Sequence, residues 1–203
     1  MTNLDLNHPD GPFLPLVERI RAEATVENDR ILRIDHFLNH RIEPAFMAAM
    51  GQALADRLRP FAPDLLLTAE ASGIAPALAT AFALDVPMVY AKKFAPIVEP
   101  PALSRLVPSP TKGGVMRLVV ATRYLPVGAR VALVDDFLAN GRTALALGEI
   151  VAEAGATLVA IGFLVEKKFQ YGRALLADLK APIVALAQVE RLAGGQVIMV
   201  GDR

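Results

Sequence analysis

Arg130-Val131-Ala132-Leu133-Val134-Asp135-Asp136-Phe137-Leu138-Ala139-Asn140-Gly141-Arg142-Thr143 is the stretch on which the fold turns. Four successive apolar residues, Val131 to Val134, predict a strand buried on both faces, as in a parallel sheet. Two carboxylates end it and Gly141 makes a turn. Leu147, Ile150, Val151 and Ala154 then recur at i, i+3, i+4 and i+7, the spacing of an amphipathic helix. The free amides and positive dipole end of such a helix suit a phosphate. The acidic pair suits hydroxyls or a hydrated Mg²⁺. A loop offering both is suited to a sugar phosphate. Neither G-x-x-x-x-G-K-[ST] nor G-x-G-x-x-G is present, so this is neither a Walker loop nor a dinucleotide fingerprint. Asp-Asp alone would fit an ordinary strand–loop–helix junction equally well; the whole segment carries the reading.

The same order occurs upstream. Residues 65–69 predict a buried strand, Glu70-Ala71-Ser72-Gly73 a small-residue turn, and 74–84 a helix. A glycine at position 73 lets backbone approach a ligand closely. A strand over 86–91 ends at Lys92-Lys93, and one over 157–165 ends at Glu166-Lys167-Lys168-Phe169-Gln170. Open α/β sheets bind ligands beyond such carboxyl ends. Helices are predicted over 12–27, 44–59 and 171–179. Further strands are predicted over 31–34 and 116–122, with a terminal hairpin of 183–190 and 197–200 around Gly194-Gly195. Residues 35–42 mix polar and apolar types without a clean period. The proline- and glycine-rich stretch 94–114 is read as irregular, within a mobile lid of about 94–117. Repeated strand–helix alternation predicts an α/β fold with a central, mostly parallel sheet flanked by helices. It is read as one domain, 1–203, with a core of about 44–180 and a small hood from about 1–43 and 181–203.

The chain has 203 residues, with Lys+Arg 21 and Asp+Glu 21, a balance that argues against a bulk nucleic-acid binder. Without cysteine there is no disulfide framework, Cys-ligated zinc or cysteine nucleophile, and the composition fits the cytoplasm. No long uncharged apolar span occurs, so a soluble protein without a membrane partner is expected.

The loop resembles the phosphoribosyl-pyrophosphate (PRPP) loop of type I phosphoribosyltransferases: an acidic pair, a short run, then Thr-Gly-x-Thr, with Asn140 in place of the first Thr. The wider set is similar to the bacterial xanthine phosphoribosyltransferases, from about residue 32 to 200. It comprises Ile34-Asp35-x-Phe37-Leu38-Asn39-His40, Glu70-x-Ser72-Gly73-Ile74-Ala75-Pro76, the acidic loop, and Glu166-Lys167-x-Phe169-Gln170-x-Gly172-Arg173. The resemblance implies a purine-salvage transferase: xanthine plus PRPP gives xanthosine 5′-monophosphate plus pyrophosphate. Mg²⁺ is required, held mainly through PRPP and water with no fixed protein ligand. It assigns Asp135 and Asp136 to the ribose hydroxyls as catalytic residues. Ala139, Asn140, Gly141, Arg142 and Thr143 go to the 5′-phosphate of PRPP. Ala71, Ser72, Gly73 and Lys92 go to pyrophosphate, and Leu32, Asn39, Lys167 and Phe169 to the purine. Xanthine is the expected base, with guanine a second candidate, and the family suggests a homodimer.

Two departures stand out. Ala139 occupies a position where hypoxanthine-guanine relatives often carry an Asp base, and Lys93-Phe94-Ala95 lacks the second Lys of a Lys-x-Lys. His36 and His40 are read as hood residues rather than bases. A PRPP-sensing regulator is the alternative without catalysis, disfavoured because the stretch before Ile31 is too short for a DNA-binding domain. Adenine phosphoribosyltransferase is the other alternative; it is disfavoured because Lys167 is a donor where adenine also has one.

Overall fold

The computed structural model describes residues 11–93, 101–108 and 114–202. Helix α1 (Leu14–Glu23) leads into a small hairpin, β1 (Thr25–Glu27) and β2 (Ile31–Arg33). Helix α2 (Pro44–Leu58) follows, then β3 (Leu65–Ala69), α3 (Ile74–Leu84) and β4 (Met88–Ala91). Strands β5 (Ala102–Pro108) and β6 (Val115–Ala121) pair with each other. Next come β7 (Arg130–Leu138), α4 (Arg142–Glu153), β8 (Thr157–Lys167), α5 (Gly172–Leu175), β9 (Ile183–Ala193) and β10 (Gln196–Met199).

The main sheet runs β10-β9-β8-β7-β3-β4, parallel throughout except for the antiparallel β10 at one edge. Period-two alternation explains why its middle is buried on both faces. Leu66, Ala132 and Val134 join one apolar cluster, with α2 and α3. Leu65, Leu67, Val131 and Leu133 join the other, with α4 and the β5–β6 hairpin. Arg105 ties that hairpin to α4 through Glu149 at 2.8 Å and Glu153 at 2.5 Å.

The N- and C-terminal segments meet. Leu16, Ile20, Leu32 and Phe37 share one cluster with Leu192 and Met199, and the Gly195 amide donates to Asp29 Oδ1 at 2.9 Å. Arg19 donates to both oxygens of Glu43, at 2.6 and 2.8 Å, and lies over the rings of Phe37 and Phe46 at 4.7 and 4.9 Å. That guanidinium holds the loop that carries Asn39.

Several sequence expectations need correction. The first helix stops at Glu23, and 25–27 pairs as a strand with 31–33, because Thr25 and Val26 favour extended backbone. The acidic pair lies inside β7, which continues to Leu138 because β8 supplies pairing partners that far. The stretch predicted as irregular contains β5, with Pro101 directly before the strand and Pro108 as its last residue. Residues 94–100 and 109–113 of the expected lid lie outside the described residues. The helix expected over 171–179 is only one four-residue α-turn followed by a 3-10 turn.

Candidate active site

The strand end places the two aspartates differently. Successive residues of a strand point to opposite faces. Asp136, 6% exposed, accepts a hydrogen bond from Asn39 Nδ2 at 2.6 Å. Lys167, at the end of the adjacent β8, sets its ammonium 4.4 Å from the centre of the Phe137 ring. Burial pulls the Lys167 ammonium below the usual lysine value, and the Asp136 charge opposes that pull. So Asn39, 97 positions upstream in sequence, joins Asp136 and Lys167 at one place.

Asp135 instead meets the upstream turn. Its Oδ1 would lie 2.5 Å from a Cβ built on Gly73, and Thr68 Oγ1 would lie 2.1 Å away. Only a residue without a Cβ fits there. Burial pushes the Asp135 carboxyl well above its usual range; the Asp136 charge pushes the same way and Lys93 opposes both. Asp135 accepts the Asp136 amide at 2.9 Å.

A pocket of about 160 Å³ unites this side. Asp135, Asp136, residues 139–143 and Ser72 all line it. Gly141, at φ 80, turns the chain into α4, and Asn140 Oδ1 accepts the Arg142 amide at 3.1 Å. Asn140 thus satisfies one free amide of the helix start, as the usual Thr hydroxyl could. Gly141 and Gly172 are in close backbone approach: a Cβ on Gly172 would lie 2.2 Å from Ala139 O. A larger cavity, about 570 Å³, lies behind β9 among Leu14, Val17 and Leu186. It carries neither aspartate nor any part of the loop, so size does not mark the reactive centre.

The lysine lining the pocket is Lys93, whose amide donates to Glu70 Oε1 at 2.5 Å. Lys92 was the one expected; its backbone bonds Val119 and its side chain is exposed. The bridge to β6 fixes strand alternation so that the second lysine turns inward. Ala71 is exposed and does not line the pocket. Leu32 is buried in the hood cluster, and Phe169 packs half-buried against it. His36 approaches Glu23 and His40 approaches Asp35, and neither lines the pocket. Sequence reasoning did not assign Phe137 or Glu70 to the site, and of the Lys92-Lys93 pair it assigned only Lys92. Strand alternation beyond Ala91 was the available signal for Lys93.

The fold and this strand–acidic pair–glycine turn–helix arrangement define a type I phosphoribosyltransferase. Solved adenine phosphoribosyltransferases share the architecture. That of Thermoanaerobacter pseudethanolicus superposes with TM-score 0.65 at 27% identity, covering 72% of this chain and 82% of that one. That of Trypanosoma brucei gives TM-score 0.72 at 19% identity, over 86% and 79%, a likeness of fold alone. No family model matches the chain. A xanthine phosphoribosyltransferase of Chloroflexus aurantiacus is 58% identical over 190 residues, 94% of this chain and 90% of the relative. One of Deinococcus deserti is 44% identical over 186 residues, 91% and 96%. The chain belongs to the xanthine phosphoribosyltransferase family.

Proposed function

We propose that this chain transfers the 5-phosphoribosyl group of PRPP to xanthine, forming xanthosine 5′-monophosphate and pyrophosphate. The observation that carries this reading is the meeting of Asn39 and Lys167 on Asp136, beside the loop 139–143. An amide and an ammonium present donors that match the two carbonyl oxygens of a dioxopurine. The same ammonium opposes the amino group of adenine and leaves an unpaired donor.

The residues act by position and charge. Loop amides and Thr143 hold the 5′-phosphate at the start of α4, and Asp135 and Asp136 hold the ribose hydroxyls. Ser72 and Lys93 flank the pyrophosphate. The ribose carbon gains oxocarbenium character as pyrophosphate leaves, and the purine nitrogen enters from the opposite face. Alignment of this kind supplies ~7–11 kcal/mol in favourable cases. The protein needs no covalent nucleophile. Among the described residues no cluster of three or more His, Asp or Glu gathers to hold a metal. Asp135 and Asp136, both lining the 160 Å³ pocket, nonetheless fit Mg²⁺ held through water and substrate. Mg²⁺, when bound with PRPP, neutralises the leaving group.

The chain divides into a hood, a core and a lid, pairs as a homodimer and works in the cytoplasm. Exposed Leu78 and Phe82 on α3 and Tyr90 on the edge strand β4 support a subunit contact. The absence of cysteine supports the setting. Among the described residues no helix is long and apolar enough to cross a membrane.

The test is a purine panel with PRPP and Mg²⁺, followed by pyrophosphate release. Xanthine turnover exceeding adenine turnover by about tenfold or more is expected. Equal use of the two bases would reject the assignment.

A further inference from the structure

The chain between Glu166 and Arg173 closes on itself. Glu166, with a side chain 3% exposed, accepts Arg173 Nε at 3.0 Å on Oε1 and Arg173 NH2 at 2.5 Å on Oε2. Gln188, its register partner on β9, donates to the same Oε2 at 2.7 Å. The remaining Arg173 nitrogen, NH1, donates to Ile183 O at 2.9 Å. Burial pushes the Glu166 carboxyl up, but the guanidinium and the Gln188 amide outweigh it and hold it below its usual range.

What lies just inside the two ends of this clamp matters. Lys167 follows Glu166 and faces Asp136 and the Phe137 ring. Gly172 precedes Arg173 and touches the phosphate loop: its Cβ position lies 2.2 Å from Ala139 O and 3.1 Å from Gly141 N. Between them Tyr171 sits at φ 56, a left-handed conformation that costs a tyrosine energy, and the residue is 77% exposed. Side-chain packing at Tyr171 therefore does not hold the turn. Its ends do.

We infer that Arg173 is a positioning residue that fixes the separation between the purine-recognising lysine and the phosphate loop. The inference rests on the functional reading above and extends it to a residue that does not line the 160 Å³ pocket. An ion pair is an indifferent way to stabilise a buried site, since apolar side chains of equal volume do as well. A planar guanidinium, by contrast, gives a fixed bidentate geometry with a third donor left for Ile183, and a lysine cannot reproduce it. One clamp therefore governs both subsites, and loosening it weakens both substrates together.

The experiment is steady-state kinetics on the full chain, varying xanthine and PRPP separately. Arg173→Ala should raise both KM values about tenfold, the low end of the effect of one charge-assisted hydrogen bond. Free guanidinium ion at millimolar concentration should restore part of each, and Arg173→Lys should fall between. Because Arg173→Ala strands a buried carboxylate and can unfold the chain, the paired variant Glu166→Gln with Arg173→Leu is measured too. It should melt within a few degrees of the parent and show the same double rise in KM. A folded variant with both KM values unchanged would overturn the inference. So would a rise in only one of them, or a fall in kcat alone, which marks loss of active protein. A parent chain that ignores xanthine would reject the functional reading itself, and the inference with it.

Discussion

The purine side and the phosphate side of the site are built from different materials. The purine side is made of side chains brought from far apart: Asn39 from the hood, Asp136 from β7 and Lys167 from β8, each with a partner in reach. The phosphate side is made of backbone: Gly73 packed against Asp135 and Gly141 packed against Gly172, with free amides at the start of α4. On the first side charge is matched. On the second, Asp135 is half-buried without a hydrogen-bonded cation among the described residues, and its carboxyl is pushed upward. The contrast teaches where each side is vulnerable. A backbone site fails when atoms are added, whereas a side-chain site fails when they are removed.

The largest effect expected is from adding one methyl to the phosphate side. Gly141→Ala places a Cβ 2.8 Å from Gly172 O at a φ of +80 that alanine disfavours. Misplacing the loop by about 1 Å should lower kcat/KM for PRPP roughly a hundredfold. Circular dichroism and melting temperature check that the chain remains folded. A fully active Gly141→Ala would mean that the loop is more plastic than its packing implies. Next in size is removal of the purine-side ammonium. Lys167→Ala should raise KM for xanthine about tenfold to thirtyfold, about 1.5–2 kcal/mol and within the range for a hydrogen bond to a charged group, and leave KM for PRPP within about twofold. An equal loss for both substrates would erase the distinction between the two sides.

The two sides were not equally legible in the sequence. The order of buried strand, acidic pair, glycine and helix is local, and it placed residues 135–143 directly. The alternation of the sheet and its handed crossovers follow from similarly local patterns. Within the Lys92-Lys93 pair the choice fell on Lys92, because which lysine faces inward is fixed only by a bridge to Val119, far along the chain. Phe137 escaped notice because an aromatic inside an apolar strand reads as core. Glu166 and Arg173 stood in the resembling motif, yet their pairing needs the turn at Tyr171, which no periodicity announces. Contacts set by turns and strand facing are tertiary facts, and composition carries little of them.

Neutralising the aspartates should separate activity from stability. Asp136→Asn removes a carboxylate that Asn39 and Lys167 both face, so turnover should fall, and the melting temperature should drop modestly because the Lys167 ammonium loses its counter-charge. Asp135→Asn should lower turnover and raise the melting temperature, a common cost of a reactive site. The sign follows from linkage. A carboxyl whose pKa is raised on folding binds more protons folded than unfolded, so stability falls as pH rises from the ordinary carboxylate value through the folded one. The gain from Asp135→Asn should therefore be small at pH 4 and larger at pH 8, read as melting temperature across that range. Glu166 acts oppositely. Its lowered value contributes stability above the ordinary carboxylate range, lost as pH falls through the folded value. A flat difference between Asp135→Asn and parent across pH would show that Asp135 is not the strained group.

The smallest effect concerns a hydroxyl beneath the same turn. Thr68 is 0% exposed, and its Oγ1 has no hydrogen-bond partner among the described residues, although it lies against Gly73 beside Asp135. Burying a hydroxyl unpaired costs about 1–3 kcal/mol. Thr68→Val keeps the shape and removes the unmet group, so it should raise the melting temperature by about 2–4 °C per kcal/mol relieved in a chain of this size. On the purine side an equivalent swap, Asn39→Leu, should lower it, because Asp136 would lose its 2.6 Å partner. The pair of variants thus tests whether polar groups are satisfied on one side and unsatisfied on the other. Repeating the Thr68→Val melt with PRPP and Mg²⁺ sharpens the comparison. If the gain disappears on binding, the turn at Gly73 rearranges to give that hydroxyl a partner, and the phosphate side stores in the free protein a strain that its substrate relieves. If the gain persists, the hydroxyl stays unmatched in both states, and the turn is a rigid cradle.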